Sequence, residues 1–292
     1  MEICDVLVIG SGSAACSAAL RAARGGLKVL VVEKSPWLGG TSAMSGAGVW
    51  IPANHIARAI GVDDSREEAI SYLRAVAPIG WAAEYDAHWS AFVEHAPDIL
   101  EFLANNTPLD FRVINEPDPF VEAPGGKAYG RMLSPMPLRR PILGHFARRL
   151  RRSTLPHSLT YQEIVDLDFY HHPLRGSAKL WPKILWRWLT NSGAQGTALM
   201  TGLIRGCLDA GVSFELETRA TRLLQDNSDR ISGAGVKCGS HTREITTRYG
   251  VVIASGGFEW DQRCAPGTFR DHWITSEAHP ATKEMARNLL HQ

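Results

Sequence analysis

Long hydrophobic runs are missing from this sequence. Gly, Ser, Arg or Pro interrupts every apolar stretch, Val29 to Val32 included, and none approaches the ~20 residues of a membrane-spanning helix. No bilayer span is expected. Cysteine is sparse: Cys4, Cys16, Cys207, Cys238 and Cys264 are odd in number and contain no Cys-x-x-Cys pair. That disfavours a disulfide framework and a structural zinc site, and it makes a reducing, cytoplasmic setting the expectation. An excess of either charge is absent too. With 31 basic and 30 acidic side chains the net charge is +1, so the molecule as a whole has no field that would draw it to nucleic acid. The opening Met1-Glu2-Ile3-Cys4-Asp5 has acids where a secretory lead has cations, and export is not expected. The 45% hydrophobic content is enough for a core, and 292 residues hold one large domain or two smaller ones.

What is present begins at once. Asp5-Val6-Leu7-Val8-Ile9 is a β-branched run ending at Gly10, and Gly12 and Ala15 complete Gly-x-Gly-x-x-Ala ahead of a small-residue stretch reaching about Arg24. This reads as strand, tight turn and helix. Gly10 permits the turn, Gly12 lets a diphosphate approach the backbone, and Ala15 allows helix and strand to pack closely. The first helical turn, with Ser13 and Ala14, then faces the phosphates. Gly25-Gly26 ends the helix, and Leu27 to Val32 supplies a second buried strand closed by Glu33. Glu33 stands 23 residues after Gly10, near the ~20-residue offset at which an acid accepts hydrogen bonds from an adenosine ribose.

The next segment distinguishes flavin from nicotinamide. Glu33-Lys34, Gly39-Gly40-Thr41-Ser42 and Ser45-Gly46-Ala47-Gly48-Val49-Trp50 resemble the flavoprotein superfamily of fumarate reductase and succinate dehydrogenase, most closely its 3-ketosteroid dehydrogenase branch. The resemblance implies an α/β, Rossmann-like FAD-binding domain with a parallel sheet, a small antiparallel ribbon and a helical or irregular insertion. It implies FAD contacts from Lys34, Gly39, Gly40, Thr41, Ser42, Gly46, Ala47 and Gly48, beside Gly10, Gly12, Ser13, Ala14, Ala15 and Glu33. Succinate dehydrogenases place a flavin-linking His just after this signature. Here those positions read Ser42-Ala43-Met44-Ser45, so noncovalent FAD is expected.

Farther on, Ser65 to Ala69 reads as a helix cap leading into packing helices up to about Asn105, with Ile70, Leu73 and Val76 on one face. Asp118-Pro119-Phe120-Val121-Glu122-Ala123-Pro124-Gly125-Gly126 again resembles the ketosteroid branch, which writes Asp-Tyr-Tyr before its Pro-Gly-Gly. The family uses a tyrosine of this neighbourhood beside the steroid, whereas Pro119 and Phe120 can carry no proton; Tyr129, Tyr161 and Tyr170 are the substitutes the sequence offers. No catalytic residue is assigned.

Residues 123 to 162 contain no Asp or Glu but carry Lys127, Arg131, Arg139, Arg140, Arg148, Arg149, Arg151 and Arg152. They read as a solvated loop and helix face, and the 131–152 segment is the place where peripheral contact with anionic lipid would fall. His171-His172 with Trp181, Trp186 and Trp188 read as surface and core, with no ligand spacing for a metal.

Asn191 to Leu199 opens a helix running to about Ala210, and Val212 to Leu216 is a strand. In the resembling family the segment after it, Thr218-Arg219-Ala220-Thr221, reaches the adenine, with Ala220 the residue named. Leu223-Leu224 and Gly233 to Val236 suggest the antiparallel ribbon. A strand from Gly250 then ends in Ala254-Ser255-Gly256-Gly257-Phe258, where the family's loop approaches the dinucleotide.

The expected organisation is a first part of the FAD domain over 1–110, a Pro/Gly/Arg-rich insertion over 111–184, a second FAD part over 185–265, and the start of a substrate domain or a tail over 266–292. The resemblance fades past Trp260 and implies that the family's later catalytic tyrosine, oxyanion-binding glycine and last flavin-contacting helix are missing. Two readings follow. One is an FAD-dependent dehydrogenase moving hydride between flavin N5 and a C–C bond beside a carbonyl, with a small apolar steroid-like substrate and an electron acceptor as partners. The other is a noncatalytic FAD-binding remnant; a fumarate-reductase-like enzyme stands behind the first.

Overall fold

A computed structural model describes residues 2–169 and 171–257. The strand β1 (Glu2–Ile9), the helix α1 (Ser13–Arg24) and β2 (Val29–Val32) open the chain, followed by a 3₁₀ turn at Thr41–Met44 and β3 (Val49–Trp50). Helices α2 (His55–Ala59), α3 (Arg66–Val76) and α4 (Ala82–Asn106) precede the short strands β4 (Phe111–Val113), β5 (Met132–Pro135) and β6 (Leu138–Arg139). After a 3₁₀ stretch at Arg140–Arg148 come α5 (Tyr161–Asp166), α6 (Pro173–Leu189), β7 (Ser192–Gly193) and α7 (Gln195–Asp209). The strands β8 (Ser213–Glu215), β9 (Thr218–Gln225), β10 (Ile231–Cys238) and β11 (His241–Ile253) complete the order.

One sheet runs β8-β2-β1-β11-β10-β9. Its β8, β2, β1 and β11 pair in parallel, and β10 pairs antiparallel with both β11 and β9. Burial on both faces explains the continuous Val-Leu-Val-Val of β2, all of it buried, since a parallel strand must satisfy two packing layers. Val6, Val8, Val29 and Val31 face Ala15, Cys16, Ala19 and Leu20 of α1 and Met200, Leu203, Ile204 and Cys207 of α7. Leu7, Leu30 and Val32 point the other way and meet Ala234, Val236 and Ile245. The sheet is thus covered by small-residue helices on one side and by the antiparallel ribbon on the other. A methyl group at Gly202 or Gly206 of α7 would strike Leu109 or Thr107, which is why α7 is glycine-rich at its closest contacts.

The α/β class with parallel sheet, ribbon and helical insertion is therefore the observed architecture. Details differ from the sequence reading. The final strand starts at His241 rather than near Gly250, because its first half pairs with β10 while most of its length pairs with β1. Thr218 to Thr221, which follows β8 as expected, is the beginning of β9, with a register shift where Thr221 is passed over. In α3 the buried positions are Ala69 and Tyr72, offset from the Ile70, Leu73 and Val76 face. Trp181, Trp186 and Trp188 are not core; all three are exposed. Residues 258–292 and Tyr170 lie outside the described residues, as does the expected 266–292 segment.

Arg131 corrects the reading of the basic segment. It is 1% exposed and belongs to no surface patch. Its Nη2 and Nε donate to Asp64 at 2.7 and 3.0 Å, and its Nη1 donates to Asp118 at 2.8 Å. The guanidinium also lies 5.4 Å from the Trp50 ring and 5.7 Å from Tyr72. Asp118 further accepts from Trp50 Nε1 at 2.7 Å and from the Lys127 backbone at 2.9 Å. A buried charge is tolerated only when paired and hydrogen-bonded this fully. The network clamps the 118–127 turn onto α3.

A second ionic knot joins α5 to α6. Thr160 and Glu163 form a capping box, and Glu163 also accepts from Arg187 at 2.6 and 2.9 Å. Burial pushes the Glu163 carboxyl up, but Arg187, the Thr160 backbone and Lys183 more than offset it and hold the pKa at about 2. A pKa depressed on folding stabilises above the ordinary carboxylate range and loses that contribution as the pH falls through the folded value. Glu163→Gln, which keeps the capping geometry, is expected to cost about 2–3 kcal/mol at neutral pH. Melting temperatures measured from neutrality down toward pH 2 should fall more steeply for the parent than for the variant. Parallel curves would contradict this role.

Candidate cofactor site

β1 and β2 end at the same level, and Gly10 takes the chain out of the sheet with φ +105°. A Cβ at Gly10 would lie 2.3 Å from the Ala254 carbonyl oxygen, while the Ala254 amide donates to the Ile9 carbonyl at 2.9 Å. Gly10 therefore brings Ala254 and Ser255 to the carboxyl end of β1. Gly12 is different. Its φ of −72° is ordinary, and an added Cβ would meet only the Ser42 hydroxyl, at 3.4 Å. The space before it is open.

Gly12 caps α1, which has no side-chain cap and no acid in its first turn, so its positive end remains available to an anion. Ser13 and Ala14 stand in that first turn, with Ala14 exposed, while Ala15 is fully buried against the sheet and serves packing. Gly40, at φ +51°, faces Gly12: a Cβ there would lie 3.6 Å from the Gly12 Cα. The Ser42 hydroxyl accepts from the Ser13 amide at 3.1 Å and lies 3.0 Å from the Ser13 hydroxyl, which staples the 39–45 loop to the helix start.

Glu33 is 8% exposed at the end of β2. Its Oε2 accepts from the Ser11 hydroxyl at 2.6 Å and its Oε1 from the Ser35 amide at 2.9 Å. Ser11 Oγ in turn accepts from the Gly39 amide at 3.1 Å. The carboxylate is fixed beside the mouth of the turn with lone pairs left for further donors. The Thr218 amide donates to the Glu33 carbonyl at 2.8 Å, so β9 begins at this acid and carries Ala220 into the neighbourhood. Lys34 and Thr41 are exposed on the same rim.

The loop continues through Gly46, Ala47 and Gly48. Ala47 is buried with φ +52°, a conformation that costs a non-glycine residue of the order of 1 kcal/mol and is held here by the surrounding packing. The Tyr161 ring lies beside Gly46 and Gly48, 3.4 and 4.0 Å from where their Cβ atoms would be. Tyr161 Oη donates to Glu116 at 3.0 Å. On the inner side, Gly196 at the start of α7 donates its amide to the Ser45 carbonyl at 2.8 Å; a Cβ at Gly196 would fall 2.3 Å from the Ser42 carbonyl oxygen. His157 braces the same junction: its Nδ1 accepts from the Thr197 amide at 3.3 Å, and burial lowers its pKa despite a bond with the Met44 backbone.

Gly10, Gly12, Ser13, Glu33, Gly40, Ser42 and Ala254 are thus gathered around one helix terminus. Gly46, Ala47 and Gly48 extend the same loop past Tyr161. Gly256, described separately, has φ +83° and is exposed. Sequence reasoning overlooked Ser11 and Gly196. Ser11 was readable as the hydroxyl inside the glycine turn; Gly196 carried no signal, because its partners are distant loop carbonyls.

The two glycines of the turn should respond differently to a methyl group. Gly10→Ala forces a left-handed alanine into a backbone oxygen and is expected to cost about 3 kcal/mol or more. Gly12→Ala is expected to cost less than about 1 kcal/mol. Denaturant unfolding of both variants checks this, and equal losses would refute the division of labour.

Comparison with known proteins gives the same picture. A family model described as FAD binding domain matches residues 5–288. The chain is 36% identical over 275 residues to a 3-oxosteroid 1-dehydrogenase of Mycobacterium tuberculosis, covering 89% of this chain and 48% of that protein. It is 33% identical over 271 residues to a 4-oxocyclohex-2-ene-1-carboxylate 5-dehydrogenase of Sinomonas cyclohexanicum, covering 87% of this chain and 45% of that one. The crystal structure of a 3-ketosteroid delta1-dehydrogenase from Sterolibacterium denitrificans in complex with 1,4-androstadiene-3,17-dione is similar with a TM-score of 0.77 and 32% identity, over 90% of this chain and 49% of that one. The chain thus spans about half the length of these relatives. An open glycine turn, a helix start without an acid in its first turn and a fixed acid on this sheet, with the family model matched over residues 5–288, place the chain in the FAD-binding domain family of flavoproteins.

Proposed function

We propose that the chain holds FAD noncovalently, with the diphosphate at Gly12 and the first turn of α1, the adenosine ribose on Glu33, the adenine near Ala220, and the flavin along Gly40 to Gly48 and at Ala254 and Ser255. The observation that carries this reading is the space left open before Gly12, at the start of an α1 whose first turn holds no acid. The protein is, on this reading, the FAD-binding part of a dehydrogenase acting on a C–C bond beside a ring ketone. Its relatives' substrates, a 3-oxosteroid and a 4-oxocyclohexene carboxylate by name, share that group, and a 3-ketosteroid-like compound is the preferred substrate.

Bound FAD supplies a hydride acceptor. Taking hydride from one carbon requires that a proton leave its neighbour to a base. Phe120, 55% exposed on the clamped 118–127 turn, cannot take it. Of the tyrosines, Tyr161 is the one beside the Gly46–Gly48 loop, with its hydroxyl oriented by Glu116; Tyr129 lies at the surface. We assign the proton-handling position to Tyr161. Pro119 and Phe120 equally favour a second reading, a flavin-binding module without turnover.

Absorbance of the purified chain titrated with FAD tests the first step. The parent should give a flavin spectrum whose chromophore is released intact by acid, and Gly12→Val should weaken binding at least tenfold while remaining folded. Dye reduction with 4-androstene-3,17-dione or 4-oxocyclohexanecarboxylate then separates the two readings. Turnover lost in Tyr161→Phe with FAD still bound supports the dehydrogenase. Bound FAD without turnover supports the module, and no FAD binding at saturation overturns both.

A further inference from the structure

Helix α6 is half packed and half uncovered. Leu180 meets Leu159 and Ile164, with Ile184 beside them, and Arg187 turns inward to Glu163. On the other side Leu174, Trp181, Leu185 and Trp188 are 86%, 61%, 44% and 76% exposed. At ~100° per residue these four fall within an arc of about 60°. They form one apolar stripe on a convex surface rather than a groove. Exposed stripes of this kind in soluble proteins mark an interaction site.

The charge beside the stripe says what kind. The helix contains no Asp or Glu; Leu189 and Trp186, also exposed, continue the apolar surface round to Lys179, which is exposed at its border, while Lys183 lies on the side opposite the stripe and pairs with Glu163. At its C-terminal end, pairing of β6 with β7 and the bond from the Arg140 amide to the Asn191 carbonyl bring in Arg139 and Arg140. Burial, then the nearby charge of Arg152, holds the Arg140 guanidinium below its ordinary range, so Arg152 belongs to the same cluster. Among the described residues none of Lys179, Arg139, Arg140 and Arg152 pairs with a carboxylate. A face of exposed Trp and Leu bordered by unpaired cations and free of acids is complementary to a surface that is anionic outside and apolar beneath.

We propose that α6 docks the protein onto an anionic lipid surface, with Trp181, Leu185 and Trp188 entering the head-group boundary and Lys179, Arg139, Arg140 and Arg152 meeting lipid phosphates. The proposal does not rest on the FAD site. It narrows the expected lipid contact of the 131–152 segment, whose Arg131 is buried, to Arg139, Arg140 and Arg152 and adds the exposed face of α6.

Vesicle flotation of the 292-residue chain tests it, with phosphatidylcholine vesicles and vesicles that also contain phosphatidylglycerol. The parent should partition at least tenfold better onto the anionic vesicles. Trp181→Ser with Trp188→Ser should reduce that partition about tenfold, with unchanged circular dichroism as the fold control. Lys179→Glu with Arg139→Glu should reduce binding to the anionic vesicles specifically. Absence of vesicle binding by the parent, or binding indifferent to both pairs of substitutions, overturns the proposal. A parent dimer that the tryptophan substitutions dissociate would assign the face to a second copy of the chain and overturn it as well.

Discussion

At the carboxyl ends of β1 and β11 two stretches of backbone come closer than any side chain allows, and the rest of the site follows from that approach. A methyl group on Gly10 would lie 2.3 Å from the Ala254 oxygen, so the residue must be glycine and the chain must leave the sheet there with φ +105°. That exit aims the first turn of α1 outward from the sheet. The same approach fixes where β11 stops, and so where Ala254 and Ser255 stand. Gly40 stands against the Gly12 backbone, and the position a Gly12 Cβ would take meets only the Ser42 hydroxyl. The fold needs the first glycine; at the second the backbone would accept a side chain.

Around this opening the polar groups are arranged before any ligand arrives. Glu33 is held by the Ser11 hydroxyl and the Ser35 amide, and Ser11 also receives the Gly39 amide. A nearly buried carboxylate with fewer partners would cost several kcal/mol. Instead it links the glycine turn, the end of β2 and the start of the 39–45 loop in one hydrogen-bonded chain. Gly196 and His157 support the loop from α7. Preorganisation of this kind lowers the ordering cost of binding.

Much of this was legible in the sequence because local chemistry dictated it. The alternation of β-branched residues and glycine from Asp5 to Gly12, the spacing to Glu33 and the capping residues at Ser65 all specify structure within a few positions. Ala254, Ser255 and Ala220 were placed by resemblance and do lie at or near the same sheet end. What escaped depended on long-range pairing. Arg131 read as one cation in a basic run, yet Asp64, 67 residues before it, and Asp118, 13 residues before it, pair with it in the interior. The tryptophans of α6 read as core because aromatics usually are, and only the packing of α5 against the opposite side of the helix leaves them outside. Gly196 had no motif; its necessity comes from two carbonyls of another segment.

The insertion and the nucleotide half therefore obey different rules. Backbone geometry builds the glycine turn and its loop, and a few fully paired charges hold the 118–127 turn and the start of α5 in place. The most direct test of the central claim is a crystal structure of the chain grown with FAD. The account predicts diphosphate oxygens within hydrogen-bond distance of the backbone amides of the α1 first turn, and a ribose hydroxyl on Glu33. A diphosphate gripped by the arginines of the insertion, with the space before Gly12 left empty, would contradict it.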